Sequence, residues 1–162
     1  LEDVVKAVDA AGRDAAEQST AQACFTPDGK AATRIAGLIG SATKSIDACV
    51  FTITDDRLAD ALASAHRRGL AVRIITDDDK AADRGSDVSR LISEGIPLRM
   101  DRSVHHMHHK FAIFDGRLLL NGSYNWTRSA AMNNHENYLI VDDPRLVAQF
   151  SRAFNDLWSE FA

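Results

Sequence analysis

Short apolar runs alternate along this chain with segments whose apolar residues recur at three- and four-residue spacing, and that alternation predicts the elements. Residues 1–18 read as an amphipathic helix, with Val4, Val5, Val8 and Ala15 near helical spacing. Ala21 to Phe25 follows as a short strand, halted by Pro27-Asp28-Gly29. A helix is expected over Ala31 to Gly40. Ser45 to Ile53 (SIDACVFTI) is rich in β-branched and aromatic side chains and predicts a strand. Thr54 or Asp55 can cap the next helix, which runs to Arg68 with Gly69 just past its end. The nearly continuous apolar run from Leu70 to Thr76 predicts a strand covered on both faces. Asp87 to Glu94, closed by Gly95, predicts a helix, and Ile96 to Met100 a strand.

After Met107 the character changes. Phe111 to Phe114 and Leu118 to Leu120 flank Asp115-Gly116, a hairpin turn signal. Asn137 to Val141 predicts one more strand, and Pro144 to Phe161 a closing amphipathic helix. Strands alternating with helices give an α/β class, a mixed sheet sandwiched between helices with a largely parallel first half. No linker, repeat or low-complexity stretch interrupts it, so residues 1–162 are expected to form one domain.

The formal charge of −4 does not announce a nucleic-acid binder. Charge is uneven, however. Between Arg99 and Arg128 stand Arg99, Arg102, Lys110, Arg117 and Arg128 against Asp101 and Asp115, together with His105, His106, His108 and His109. Cys24 and Cys49 are too few for a disulfide scaffold or a four-ligand zinc site. They are expected as small hydrophobes on neighbouring strands in a reducing compartment. No run is long enough to span a bilayer and no signal peptide is visible. A cytoplasmic location is therefore expected, with the start at Leu1, lacking an initiator Met, leaving room for a larger or anchored protein.

The chemistry concentrates in His108-His109-Lys110-Phe111-Ala112-Ile113-Phe114-Asp115 and in Gly122-Ser123-Tyr124-Asn125. On a strand, His108 and Lys110 would share one face. An imidazole beside an ammonium on a buried strand is costly until an anion compensates it, and a phosphate is such an anion. The spacing HxKxxxxD, with GSxN beginning seven residues after the aspartate, resembles the phospholipase D superfamily. Cys24-Phe25-Thr26-Pro27 and Cys49-Val50-Phe51-Thr52-Ile53 extend the likeness to the single-motif bacterial nucleases and the mitochondrial phospholipase D (Zucchini) group.

That resemblance implies a phospholipase D-like fold with one HKD half per chain and a metal-independent phosphodiesterase working through a phosphohistidine. His108 would be nucleophile or acid, Lys110 would bind a non-bridging phosphate oxygen, and Ser123 and Asn125 would donate to the same oxygens. Asp115 joins the catalytic set by motif, although Asp-Gly is also ordinary turn chemistry. Glu136 matches a position whose carboxylate holds the nucleophile's other ring nitrogen.

The mechanism needs two imidazoles and the chain carries one HxK, so a homodimer sharing one site is implied. The histidine cluster invites a zinc reading, but no cysteine or patterned carboxylate completes it, and neither metal nor cofactor is expected. Two sequons, at Asn121 and Asn125, overlap the phosphate-binding segment and are read as coincidental. Single-stranded nucleic acid is the expected substrate. The alternatives are a phospholipid such as cardiolipin and, in another class, a non-catalytic nucleic-acid-binding module.

Overall fold

The computed structural model describes residues 19–162, so the helix expected over 1–18 lies outside the described residues. A seven-stranded mixed sheet organises the rest, in the order β1-β7-β6-β5-β2-β3-β4. Its strands are β1 (Ala21–Phe25), β2 (Ser45–Val50), β3 (Ala71–Asp77), β4 (Leu98–Asp101), β5 (Lys110–Phe114), β6 (Leu118–Gly122) and β7 (Asn137–Val141). The pairs β2–β3 and β3–β4 are parallel, joined by helical crossovers. The pairs β2–β5, β5–β6, β6–β7 and β7–β1 are antiparallel. The parallel half thus precedes the antiparallel one, as the pattern predicts.

The helices are α1 (Ala31–Ser41), α2 (Asp56–Arg67), α3 (Asp78–Ala81), α4 (Val88–Ser93), α5 (Arg128–Met132) and α6 (Pro144–Glu160). Strand alternation divides the core in two. Ile46, Ala48 and Val50 of β2, with Ala112 and Phe114 of β5, meet Ile35 and Ile39 of α1 and Leu58 and Leu62 of α2. Cys49, Ile75, Phe111, Ile113 and Leu119 take the opposite face, under Val147 and Phe154 of α6. Every residue of β5 is buried, which is why its sequence reads as a continuous apolar run after Lys110.

Three expectations change. Cys24 and Cys49 are both buried and free, but β1 and β2 are not neighbours, since β7, β6 and β5 lie between them. Burial pushes the Cys49 thiol up to about 12, so it behaves as a packed hydrophobe. The strand expected to reach Ile53 stops at Val50, and Ile53 forms only an isolated bridge to Trp126. Helices α3 and α5 have no counterpart in the predicted elements. At four and five residues they are too short to show a period, and their caps, Asp77 accepting from Lys80 N and Thr127 from Ala130 N, specify them instead.

Candidate active site

The two neighbours of β5 build the site where β5 begins. Beyond Lys110 the extensions of β2 and β6 close on each other. Trp126 N donates to the Thr52 carbonyl at 3.1 Å, and the Trp126 carbonyl accepts from Thr54 N and Asp55 N at 2.9 and 3.0 Å. Asp55, wholly buried, caps α2 and pairs with Arg57, which fixes that corner. The β5 lead-in must therefore turn away at His109, whose carbonyl still accepts from Phe51 N at 2.9 Å. His108 lies just outside the strand rather than on it, a departure from the shared-strand expectation.

Lys110 is 8% exposed, and its Nζ donates to the His108 carbonyl at 2.7 Å. Among the described residues it forms no salt bridge to a carboxylate. Burial lowers its pKa, with the Glu136 charge working the other way. The His108 imidazole is also lowered, first by burial and then by the Lys110 charge. Neutral imidazole beside a desolvated ammonium is the state a nucleophile facing a phosphate requires.

Gly122 brings in the second half. A Cβ there would sit 2.1 Å from the Asn137 carbonyl oxygen and 2.5 Å from Tyr138 Cα, so only glycine allows this approach of β6 to β7. That contact sets Ser123 beside Glu136. The Ser123 hydroxyl donates to Glu136 Oε2 at 2.5 Å and accepts from Asn137 N at 3.1 Å. Glu136 Oε1 accepts from Asn134 Nδ2 at 3.1 Å, and Thr26 binds the Glu136 backbone on both sides. Among the described residues Asn125 Oδ1 is buried without a partner, so this amide has acceptor capacity unspent.

The structure thus places His108, Lys110, Ser123, Asn125 and Glu136 around one end of the neighbouring strands β5, β6 and β7, with three revisions of role. The first is that the Ser123 hydroxyl spends its one proton on Glu136 and does not donate to a phosphate as expected. The expected bond from Glu136 to the His108 ring is not made within the chain; the carboxylate is held by Ser123 and Asn134. Asp115 lies at the far end of β5, some 17 Å of strand away. There its carboxylate accepts from Thr43 N, Lys44 N, Ser45 N and Thr43 Oγ1 at 2.7–3.1 Å. Those donors pull it down to about 2 and hold its left-handed turn, so Asp115 is a corner clamp and takes no place in the site.

Sequence reasoning missed Asp77. Buried at the end of β3, its Oδ2 accepts from Met107 N at 3.0 Å and sits 3.2 Å from His106 Nδ1, which anchors the loop into His108. Its place at the end of an apolar strand, as a cap, was the available signal. Asp77, Asp79 and His106 bring their donor atoms within 4.8 Å of one another, but the Asp77 oxygens are already engaged by Met107, His106 and Lys80, which leaves a poor metal ligand set.

With this geometry in view, comparison with known proteins decides the family. Residues 35–158 match the family described as cardiolipin synthase, PLD-like domain. The chain belongs to the phospholipase D-like family. Its curated relatives include mitochondrial cardiolipin hydrolase of Chlamydomonas reinhardtii, 50% identical over 129 residues, covering 80% of this chain and 58% of that protein. The protein of the same name from Homo sapiens is 39% identical over 153 residues, covering 94% of this chain and 61% of that protein. This chain therefore spans about three fifths of the length of these relatives. Among solved structures, Nuc of Salmonella typhimurium, a phospholipase D family member, superposes with a TM-score of 0.82 at 30% identity, over 88% of this chain and 95% of that one. The mixed sheet with flanking helices is thus the phospholipase D-like fold. The expected cytoplasmic location does not survive, because the relatives carry the name of a mitochondrial enzyme.

Proposed function

We propose that this protein is a phosphodiesterase that hydrolyses a phospholipid diester of the cardiolipin type in mitochondria, with one active site shared by two copies. The observation that carries the chemistry is Lys110: a buried ammonium with no salt-bridge carboxylate among the described residues, beside an imidazole whose pKa is lowered by burial. Such a pair is stable only where an anion completes it. The names of the relatives support phospholipid as the substrate over single-stranded nucleic acid, the sequence expectation.

In this reading a His108 imidazole nitrogen attacks phosphorus, forming a P–N bond as the P–O bond to the leaving alcohol breaks. The second copy's His108, as imidazolium, gives its proton to that oxygen. It then takes a proton from water, which attacks phosphorus, breaks the P–N bond and releases the phosphomonoester. Lys110 balances charge on the non-bridging oxygens, a part a metal would otherwise fill, and Asn125 donates beside it. Ser123 and Glu136, hydrogen-bonded to each other, stand near Lys110, where the Glu136 charge favours the protonated ammonium.

The test offers cardiolipin vesicles and labelled single-stranded DNA and RNA in excess EDTA, with His108→Ala as control. Lipid turnover that survives EDTA and vanishes in the variant is expected. Nucleic-acid cleavage alone would move the substrate back, and activity in His108→Ala would overturn the mechanism.

A further inference from the structure

If His108 attacks phosphorus, something must hold its ring, and among the described residues no hydrogen bond does so. The Glu136 oxygens are taken by Ser123 and Asn134. What the ring does meet is Phe51, at a centroid distance of 4.5 Å and an interplanar angle of 58°. The same phenyl ring lies 5.0 Å from Lys110 Nζ, 5.8 Å from Lys80 Nζ and 5.5 Å from the His106 ring. Four groups able to carry positive charge surround one aromatic side chain.

Phe51 is itself fixed. Its N–H donates to the His109 carbonyl at 2.9 Å, and its own carbonyl accepts from the buried Thr76 hydroxyl at 3.2 Å. Thr52, the next residue, is tied to Trp126. The backbone that carries the phenyl ring is therefore held between the β5 lead-in and β3, and the ring lies against His108 and Lys110. Its chemistry matters as much as its place. A carboxylate in this position would hold Lys110 more tightly, but it would cancel the charge and repel a phosphate. An aromatic face attracts a cation through its quadrupole and carries no net charge, so the ammonium keeps its charge for the substrate.

We infer that Phe51 is a positioning residue: its π face seats His108 and Lys110 together while leaving the phosphate site positively charged. The inference rests on the phosphodiesterase reading. Its test uses the full chain with bis(4-nitrophenyl) phosphate as a soluble diester and inorganic phosphate as a ligand, the latter followed through the NMR signals of the His108 ring.

Phe51→Leu keeps the apolar volume and removes the π face, and is expected to lower kcat about tenfold with a smaller change in KM. Phe51→Tyr is expected to restore kcat to within about threefold. Replacement of Phe51 by 4-fluoro-, 3,5-difluoro- and pentafluorophenylalanine weakens the π face at nearly constant shape, so phosphate affinity and kcat should fall in that order at unchanged melting temperature. Equal phosphate affinity across that series, or wild-type kcat in Phe51→Leu, would overturn the inference. If wild type turns over no diester, the phosphodiesterase reading fails, and the phosphate titrations still decide whether Phe51 seats the cation.

Discussion

The two ends of β5 each carry a charged side chain, and they treat it in opposite ways. At the Asp115 end the carboxylate collects three backbone N–H groups and a hydroxyl, and its pKa falls to about 2. At the Lys110 end the ammonium is buried, receives one carbonyl and one aromatic face, and its pKa also falls, here against its charged form. One charge is satisfied by the fold. The other is left for a ligand. Both residues belong to the same sequence motif, so the motif alone does not separate a clamp from a reagent; the hydrogen-bond partners do.

Removing the unsatisfied charge should have the largest effect. Lys110→Met is expected to lower kcat by about 10²- to 10³-fold, the scale of losing a charge-stabilising donor. Its melting temperature should hold or rise, because a buried ammonium is replaced by an apolar chain of similar length. Loss of both activity and stability would make Lys110 structural and collapse the contrast.

The pH–rate profile sharpens it next. The proposed shared site needs one neutral and one protonated imidazole, so kcat/KM should be bell-shaped. Burial and Lys110 lower the His108 pKa, so the acid limb should have its midpoint below the ordinary histidine value of about 6.5. A midpoint above it, or a flat profile through neutral pH, would contradict the paired-imidazole scheme.

The smallest effect falls at the other end. Asp115→Asn should cost about 1–2 kcal/mol at neutral pH, a figure already reduced because the clamp is partly open to solvent, and should leave kcat of the folded protein unchanged. The sign follows from a depressed carboxylate. The stability Asp115 adds is fully present above the ordinary aspartate pKa of about 4 and is lost as pH falls through about 2. Chemical unfolding of wild type and Asp115→Asn between pH 2 and 5 should converge at the acid end. A parallel offset, or a fall in kcat, would count against the clamp.

Much of this was legible in the residues. The strand–helix alternation led to the correct fold because each apolar run answers a burial demand of the sheet, whereas the close approach of β6 to β7 that requires Gly122 shows only in the structure. What escaped was chemistry decided between segments distant in sequence. Asp115 reads as part of HxKxxxxD, yet its meaning is set by Thr43 to Ser45. Phe51 reads as one residue of a strand and Asp77 as the residue after one, yet Phe51 packs against the His108 ring 57 residues on and Asp77 binds Met107 N 30 residues on. Concavity would have misled as well: a cavity of about 400 Å³ opens beside Leu38, Phe114 and Asp115, at the clamp end. Cysteine placement failed for the same reason, since local pattern carries no information on strand order.

The central claim is that His108 forms a covalent bond to phosphorus, and trapping that bond tests it most directly. Wild type quenched in alkali during turnover of cardiolipin, then digested and mass-analysed, should carry a phosphoryl-linked adduct on His108 that acid removes. His108→Ala should carry none. Turnover with no adduct on His108, or an adduct that persists in His108→Ala, would contradict the account.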